Sequence, residues 1–285
     1  MIADLRTIAA YALREALRRR VLVVVLVLTA AFLVLFWLGA REAFEAAAQF
    51  DAGEAPLRPR VVAGAFLVGL AMFVTLFLGV VLAVFLTLGA VRGDAERGLL
   101  QPLVVRPVGR TAFLLGRFLG AAAVCVAYVL AVYAAAVVIT GAVGGFWPAR
   151  PVAVGLGVAG AVVVVVALSL LGSTVLSGTA NGIAVFMVFG AGLTAGLLGQ
   201  IGSALESDTL ERIATIASWA LPFEALYQDG LAALTQGIGG VDQVVVSLGP
   251  FGGAQDASAL LWPYALLYVV VVGLLANRAF HRADL

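Results

Sequence analysis

The 285-residue sequence has few of the residues on which enzyme sites depend. It contains no lysine, a single cysteine, Cys125, and a single histidine, His281. The missing lysine excludes a P-loop nucleotide site, because that site needs a lysine on the β- and γ-phosphates. One cysteine excludes an intramolecular disulfide, and one histidine excludes any metal site built on two histidines. Only 12% of the residues are charged, which leaves little material for a catalytic centre.

Hydrophobic residues dominate what remains. They make up 63% of the chain, whereas soluble domains are roughly half apolar, and this excess is typical of an integral membrane protein. Runs of about 20 apolar residues predict transmembrane helices. Six such runs indicate an all-α membrane protein with a single transmembrane domain, residues 1–285. The runs are Val21–Ala40, Val61–Val91, Leu114–Thr140, Val152–Leu176, Ile183–Ile201 and Leu260–Asn277.

The arginines are distributed unevenly between the two sides of these spans. If the N-terminus lies inside, twelve of the 17 basic residues lie inside and eleven of the 16 acidic residues lie outside. Positive charge favours the cytoplasmic side of a membrane. The sequence therefore predicts a multi-pass protein of the inner (cytoplasmic) cell membrane with both termini in the cytoplasm. The inner arginines are Arg6, Arg14, Arg18, Arg19, Arg20, Arg92, Arg97, Arg106, Arg110, Arg117, Arg278 and Arg282.

Residues 1–20 carry a helical pattern of their own. Ile2, Leu5, Ile8 and Leu13 share one arc at 3.6 residues per turn, while charged residues fall opposite. Such a basic amphipathic helix next to a span predicts an interfacial elbow helix in the inner leaflet. The alternative is an ordinary basic flank, which topology alone would require. The apolar run that follows is about 19 residues long, whereas the h-region of a signal peptide has about 7–15 residues. The first span is therefore interpreted as a transmembrane helix and not as a signal peptide.

The spans carry no ionisable residue at their centres. Ion-coupled carriers usually keep an ionisable residue there, so its absence argues against a secondary transporter. The same absence excludes a membrane enzyme with an intramembrane carboxylate site.

Gly155, Gly157 and Gly160 permit close helix approach. Asn181 and Gln200, at the ends of the fifth span, are interpreted as interfacial residues rather than substrate ligands.

The outer segment, residues 202–259, is the only long stretch outside the spans. Asp208 and Glu211 predict a helix start with a capping-box-like arrangement, and Pro222 ends that helix. A second helix is predicted at Phe223–Leu234. We interpret these as short helices at the outer membrane surface. They would serve either as a gate for a substrate or as a packing lid.

The inner loop, residues 92–113, combines charged and apolar residues. Acidic residues open it, branched apolar residues occupy its centre, and arginines close it. Apolar side chains in a cytoplasmic connection need a surface to bury them, so the loop predicts a docking helix for a soluble partner. A solvated, positively charged loop is the alternative. The residues concerned are Asp94, Glu96, Arg97, Gly98, Leu99, Leu100, Leu103, Arg106, Pro107 and Arg110.

Residues 96–120 of this region resemble the signature of type-2 ABC exporter permeases. Within the family, the chain is most similar to permeases associated with copper maturation of nitrous-oxide reductase. Two positions depart from the pattern: Leu99 stands where the family usually has threonine, and Pro102 interrupts the helical segment. The matching positions are Glu96, Arg97, Gly98, Leu100, Pro107, Arg110, Leu115, Gly116, Arg117 and Phe118.

This resemblance implies a specific assembly. Two permease chains, identical or different, would pair in the membrane with two copies of a separate ABC ATP-binding subunit. The loop residues named above would form the coupling site, with Glu96 and Arg97 fixing the loop and the leucines buried in the partner. ATP and magnesium would bind the partner, so this chain would need no cofactor and would not be an enzyme; membrane lipid but no nucleic acid would contact it. The alternative is an assembly or signalling scaffold that uses the same ATPase without transporting a solute.

Overall fold

The computed structural model describes residues 20–50, 58–88, 109–239, 242 and 260–282. In this part of the chain all regular secondary structure is helical, as predicted. Six of the helices are long and apolar enough to cross a membrane, which confirms the six predicted spans. The helices are α1 (Arg20–Phe50), α2 (Pro59–Thr87), α3 (Arg110–Gly144), α4 (Pro151–Val175), α5 (Gly178–Ala204), α6 (Asp208–Ala220), α7 (Pro222–Thr235) and α8 (Leu261–Arg282).

The helix bounds differ from the apolar runs mainly by extension. The longest helix, α3, has 35 residues and reaches roughly 52 Å, well beyond a hydrocarbon core of about 30 Å. It begins at Arg110, four residues before the predicted span. Residues 110–113, which the sequence analysis placed in the inner loop, are therefore helical. The apolar run could not show this earlier start, because the helix extends beyond the apolar residues that define the run.

The core lies around α2 and α4, the two most deeply buried spans. Small residues bring the helices together: a Cβ on Gly79 would lie 2.8 Å from a methyl group of Val129 and 2.9 Å from one of Val162. Hydroxyl pairs add polar contacts between spans, as between Thr87 and Ser169, whose oxygens are 2.6 Å apart. The spans α1 and α8 are the least buried and lie at the periphery of this single chain.

We refer to the arginine-rich end of each span as its inner end and to the opposite end as its outer end, following the orientation predicted from the sequence. Asn181 lies near the inner end of α5, and the structure corrects its interpretation as an interfacial residue. Its side chain is fully buried, and its amide nitrogen donates a hydrogen bond to the carbonyl oxygen of Ser169 at 3.0 Å. Asn181 therefore joins α5 to α4. The side chain of Gln200 lies outside the described residues.

The two predicted outer helices are present as α6 and α7. The start of α6 differs from the prediction: its N-cap residue is Ser207, and no side chain caps it. The amide of Glu211 instead donates to the backbone oxygen of Ser207 at 3.1 Å, so the capping-box-like arrangement of Asp208 and Glu211 is wrong. The second helix, predicted at Phe223–Leu234, is confirmed with one residue added at each end.

The pair α6–α7 forms a helical hairpin that enters the membrane layer rather than lying flat on its outer surface. Helix α6 runs back along α5, where Cβ atoms built on Gly202 and Gly199 would lie 2.9 Å and 3.0 Å from the Cβ atoms of Leu210 and Ala214. At the tip, Phe223 stacks on Phe189, with ring centroids 5.7 Å apart. Phe189 is 15 residues from the outer end of α5, roughly 22 Å along the helix. The hairpin tip therefore reaches the middle of that span.

Candidate functional site

The predicted coupling site lies almost entirely outside the described residues. Of its members only Arg110 belongs to them. The predicted elbow helix, residues 1–20, also lies outside them except for Arg20, which begins α1. The structure thus leaves the coupling role of the loop as a prediction. The positions outside are Asp94, Glu96, Arg97, Gly98, Leu99, Leu100, Leu103, Arg106 and Pro107.

Arg110 ties the exit of that loop to the inner end of α8. Its guanidinium donates hydrogen bonds to the backbone oxygens of Phe280 and His281, each at 3.2 Å. It also lies over the Phe280 ring, 5.7 Å from the centroid. A helix C-terminus presents carbonyl groups without intrahelical partners and attracts positive charge. Arg110 therefore caps α8 while it begins α3.

Further contacts hold the inner ends of α3 and α8 together. The hydroxyl of Thr111 donates to the side-chain oxygen of Asn277 at 3.0 Å. Two residues farther along α3, Phe113 packs on Phe280 with ring centroids 6.1 Å apart, and Leu170 of α4 joins the same apolar cluster. The inner ends of three spans thus form one packed unit beside the loop exit.

Two tyrosines of α8 hold the tip of the hairpin. The hydroxyl of Tyr264 donates to the backbone oxygen of Trp219, and that of Tyr268 donates to the backbone oxygen of Ala220 at 2.9 Å. These oxygens belong to the last turn of α6, where helical partners are missing. A helix that ends at membrane depth must find such partners within the protein. Helix α8 supplies them.

Glu224 is carried into the membrane layer by the hairpin. Its side chain is only 5% exposed, and its Oε1 atom lies against Gly196 of α5 without a hydrogen-bond partner among the described residues. Gln228, one helical turn away on α7, is its polar neighbour and also lies beside Gly196. No predicted span carries an ionisable residue at its centre. Glu224 reaches that layer on a helix that does not itself span the membrane.

The outer end of the hairpin adjoins a polar surface pocket of about 420 Å³ whose walls include Arg58, Trp147 and Gln236. Nearby, Arg58 binds Asp242 through its backbone amide at 2.7 Å and through its guanidinium at 2.8 Å. Burial alone would raise the pKa of Asp242. The two hydrogen bonds and the charge of Arg58 outweigh burial and lower that pKa below its ordinary value. The pair therefore remains ionised down to acidic pH.

Similarity to a known protein family identifies the kind of membrane protein that has this structure. The profile of the family described as ABC-2 family transporter protein matches residues 6–285. The chain belongs to the ABC-2 transporter family. It is therefore a transmembrane subunit of an ABC transporter, and members of this family pair with an ABC ATP-binding subunit. No curated protein sequence matches the chain.

The position of the hairpin in this ABC-2 subunit has a sequence signal in the spacing of the glycines on α5. Span α5 carries glycines at intervals of four, three and three residues, and each faces the hairpin. Small residues at such spacing form a strip on one helix face that admits a neighbouring helix. The hydropathy of the run does not reveal this strip, because hydropathy scales score glycine as nearly neutral. The four positions are Gly192, Gly196, Gly199 and Gly202.

Proposed function

We propose that this subunit is the permease of an ATP-driven exporter and that a separate ATP-binding subunit docks on the loop at residues 92–113. The observation that supports the proposal is the double attachment of α8. Its inner end is capped by Arg110 at the loop exit, and its outer half holds the hairpin tip through Tyr264 and Tyr268. One helix thus connects the ATPase side of the protein with the hairpin.

This connection gives a physical route for energy transfer. Closure of the ATP-binding subunits would displace the loop and, with it, the first turn of α3. Because Arg110 and Thr111 bind the end of α8, that span would move with α3. The hairpin tip would follow, since its last carbonyl groups bind tyrosines of α8. In this proposal the hairpin is the outer gate, and two permease chains with two ATP-binding subunits form the transporter.

The first test is co-purification of the tagged chain with the ABC ATP-binding protein encoded beside it. We expect a complex with two copies of each subunit and vanadate-sensitive ATP hydrolysis. ATP-dependent efflux from reconstituted vesicles then separates an exporter from a scaffold. A complex that hydrolyses ATP without moving any candidate cargo would favour the scaffold, and a chain that purifies alone would refute the proposal. The narrower resemblance to permeases associated with copper maturation of nitrous-oxide reductase remains a prediction.

The loop itself is tested by the double substitution Arg97→Glu and Leu100→Asp. We expect the ATP-binding subunit to be lost on purification, because the change reverses one charge and places another in an apolar contact, where an unpaired charge costs several kcal/mol. The matched control is Leu205→Asp with Arg212→Glu, the same changes at exposed positions on the outer side. A complex that survives the first pair of changes would remove the loop from the coupling site.

The tyrosine attachment is tested by replacing both Tyr264 and Tyr268 with phenylalanine. Two hydrogen bonds of about 1 kcal/mol each correspond to a shift of roughly an order of magnitude or more in hairpin docking. We therefore expect ATP hydrolysis to continue while efflux per ATP falls by about that factor. Tyr133→Phe is the control, since that buried hydroxyl has no partner among the described residues. Unchanged efflux in the double variant would show that α8 does not control the hairpin.

A further inference from the structure

A groove lies between α3, α4 and α8 towards their inner ends. Its volume is about 240 Å³, and its walls are apolar, with Leu114, Phe118, Leu170 and Leu274 among the lining residues. Side chains at its rim, such as that of Leu274, are largely exposed on the outside of the chain. The groove therefore opens to the surrounding membrane rather than into the protein core.

Among the described residues, Thr111 and Asn277 are the only polar side chains that line the groove. The hydroxyl of Thr111 donates to Asn277 Oδ1. An amide side chain carries two donors on its nitrogen, and this nitrogen of Asn277 has no partner among the described residues. One end of the groove thus offers hydrogen-bond donors, while the rest of it is apolar.

Positive charge surrounds this polar end. The residues adjoining the pair in sequence are Arg110 and Arg278, and His281 and Arg282 follow on the last turn of α8. The three helices that form the groove contain no aspartate or glutamate. An apolar groove with a basic mouth on the cytoplasmic side has the chemistry that binds the headgroup and chain of an anionic lipid.

We propose that the groove binds an anionic phospholipid of the inner leaflet. One acyl chain lies along the apolar walls, the phosphate faces Arg278, and the amide of Asn277 donates to a headgroup oxygen. This site goes beyond the proposed function, because lipid binding there requires only that the basic ends of α3 and α8 lie on the inner side of the membrane. It does not require ATP. The lipid would stabilise the packed inner ends of α3 and α8, where the loop exit is fixed.

The test uses the full chain in its complex, reconstituted in vesicles of phosphatidylcholine with spin-labelled phosphatidylglycerol or spin-labelled phosphatidylcholine as the probe. We expect a motionally restricted fraction that is larger for phosphatidylglycerol. Gly273→Leu should abolish the difference, because a Cβ at Gly273 meets nothing within 4 Å and the larger side chain fills the groove without an internal clash. Arg278→Gln should reduce the preference about fivefold, the equivalent of one basic residue at an anionic surface.

Gly39→Leu is the matched control, since Gly39 is also a helical glycine with nothing within 4 Å but lies on α1. It should leave the preference unchanged. Equal restriction of the two probes in the original chain would mean ordinary surrounding lipid and would overturn the proposal. So would a Gly273→Leu variant with an unchanged preference. A disulfide between two copies of a Gly273→Cys variant would assign the groove to a second copy and would equally overturn it.

Discussion

Replacement of Gly157 by leucine is expected to cause a large loss of folded protein. A Cβ at this position would lie 2.8 Å from the backbone oxygen of Leu226 and 3.0 Å from the Cα atom of Gly230. Both neighbours are backbone atoms of α7, so no side-chain rotation can relieve the contact. Overpacking in a closely packed interior costs about 3 kcal/mol or more when the backbone must move. We expect α7 to separate from α4 and the hairpin to lose its position.

The measurement is the thermal unfolding temperature in detergent, together with the amount of monodisperse protein. Gly157→Ala should give a smaller loss than Gly157→Leu, because alanine adds only the Cβ atom. Gly39→Leu should cause no loss, since leucine is the better helix former and the space beside Gly39 is open. If Gly157→Leu unfolded at the same temperature as Gly39→Leu, the close contact between α4 and α7 would be refuted.

The spans could be predicted from the sequence because each apolar run needs only its own residues to identify it. A helix that crosses lipid must satisfy its backbone internally, so length and composition are sufficient evidence. Helices α6 and α7 could also be predicted, since Pro222 separates them and their periodic residues are local. The attachment of Arg110 to α8 could not be predicted, because it joins residues 170 positions apart.

The depth of the hairpin could not be predicted from the sequence for a different reason. Helix α6 carries charged residues such as Glu211 and Arg212, and this composition is typical of a surface helix. Its entry along α5 depends on the glycine strip and on the two tyrosines of α8, which act only when three helices meet. Glu224 was consequently grouped with the outer acidic residues. Its burial results from the packing of α7 against α4 and α5, which no local pattern in the sequence indicates.

Glu224 supplies the second prediction with a large expected effect. An ionised carboxylate is costly in an apolar layer without a cationic partner, and its observed neighbours are Gly196 and Gln228. Glu224→Gln, which is neutral and nearly equal in shape, should therefore change stability by about 1 kcal/mol or less. Glu224→Lys should cost about 3–5 kcal/mol, because it buries an unpaired ammonium group. Glu42→Lys, a charge reversal at an exposed position, should stay within about 0.5 kcal/mol.

A double-mutant cycle shows whether Glu224 contacts Gly196 as the structure indicates. A Cβ at Gly196 would overlap Glu224 Oε1, so Gly196→Ala alone should lower the unfolding temperature and reduce efflux. Glu224→Ala removes the atom that causes the overlap. Contacting residues couple by about 0.5–3 kcal/mol in such cycles, so Gly196→Ala should do little further harm in the Glu224→Ala background. Additive losses would place the two residues apart, and the hairpin tip would then not reach the middle of α5. Because the proposed gate depends on that depth, the coupling energy tests whether Glu224 packs against the middle of α5 in the folded protein.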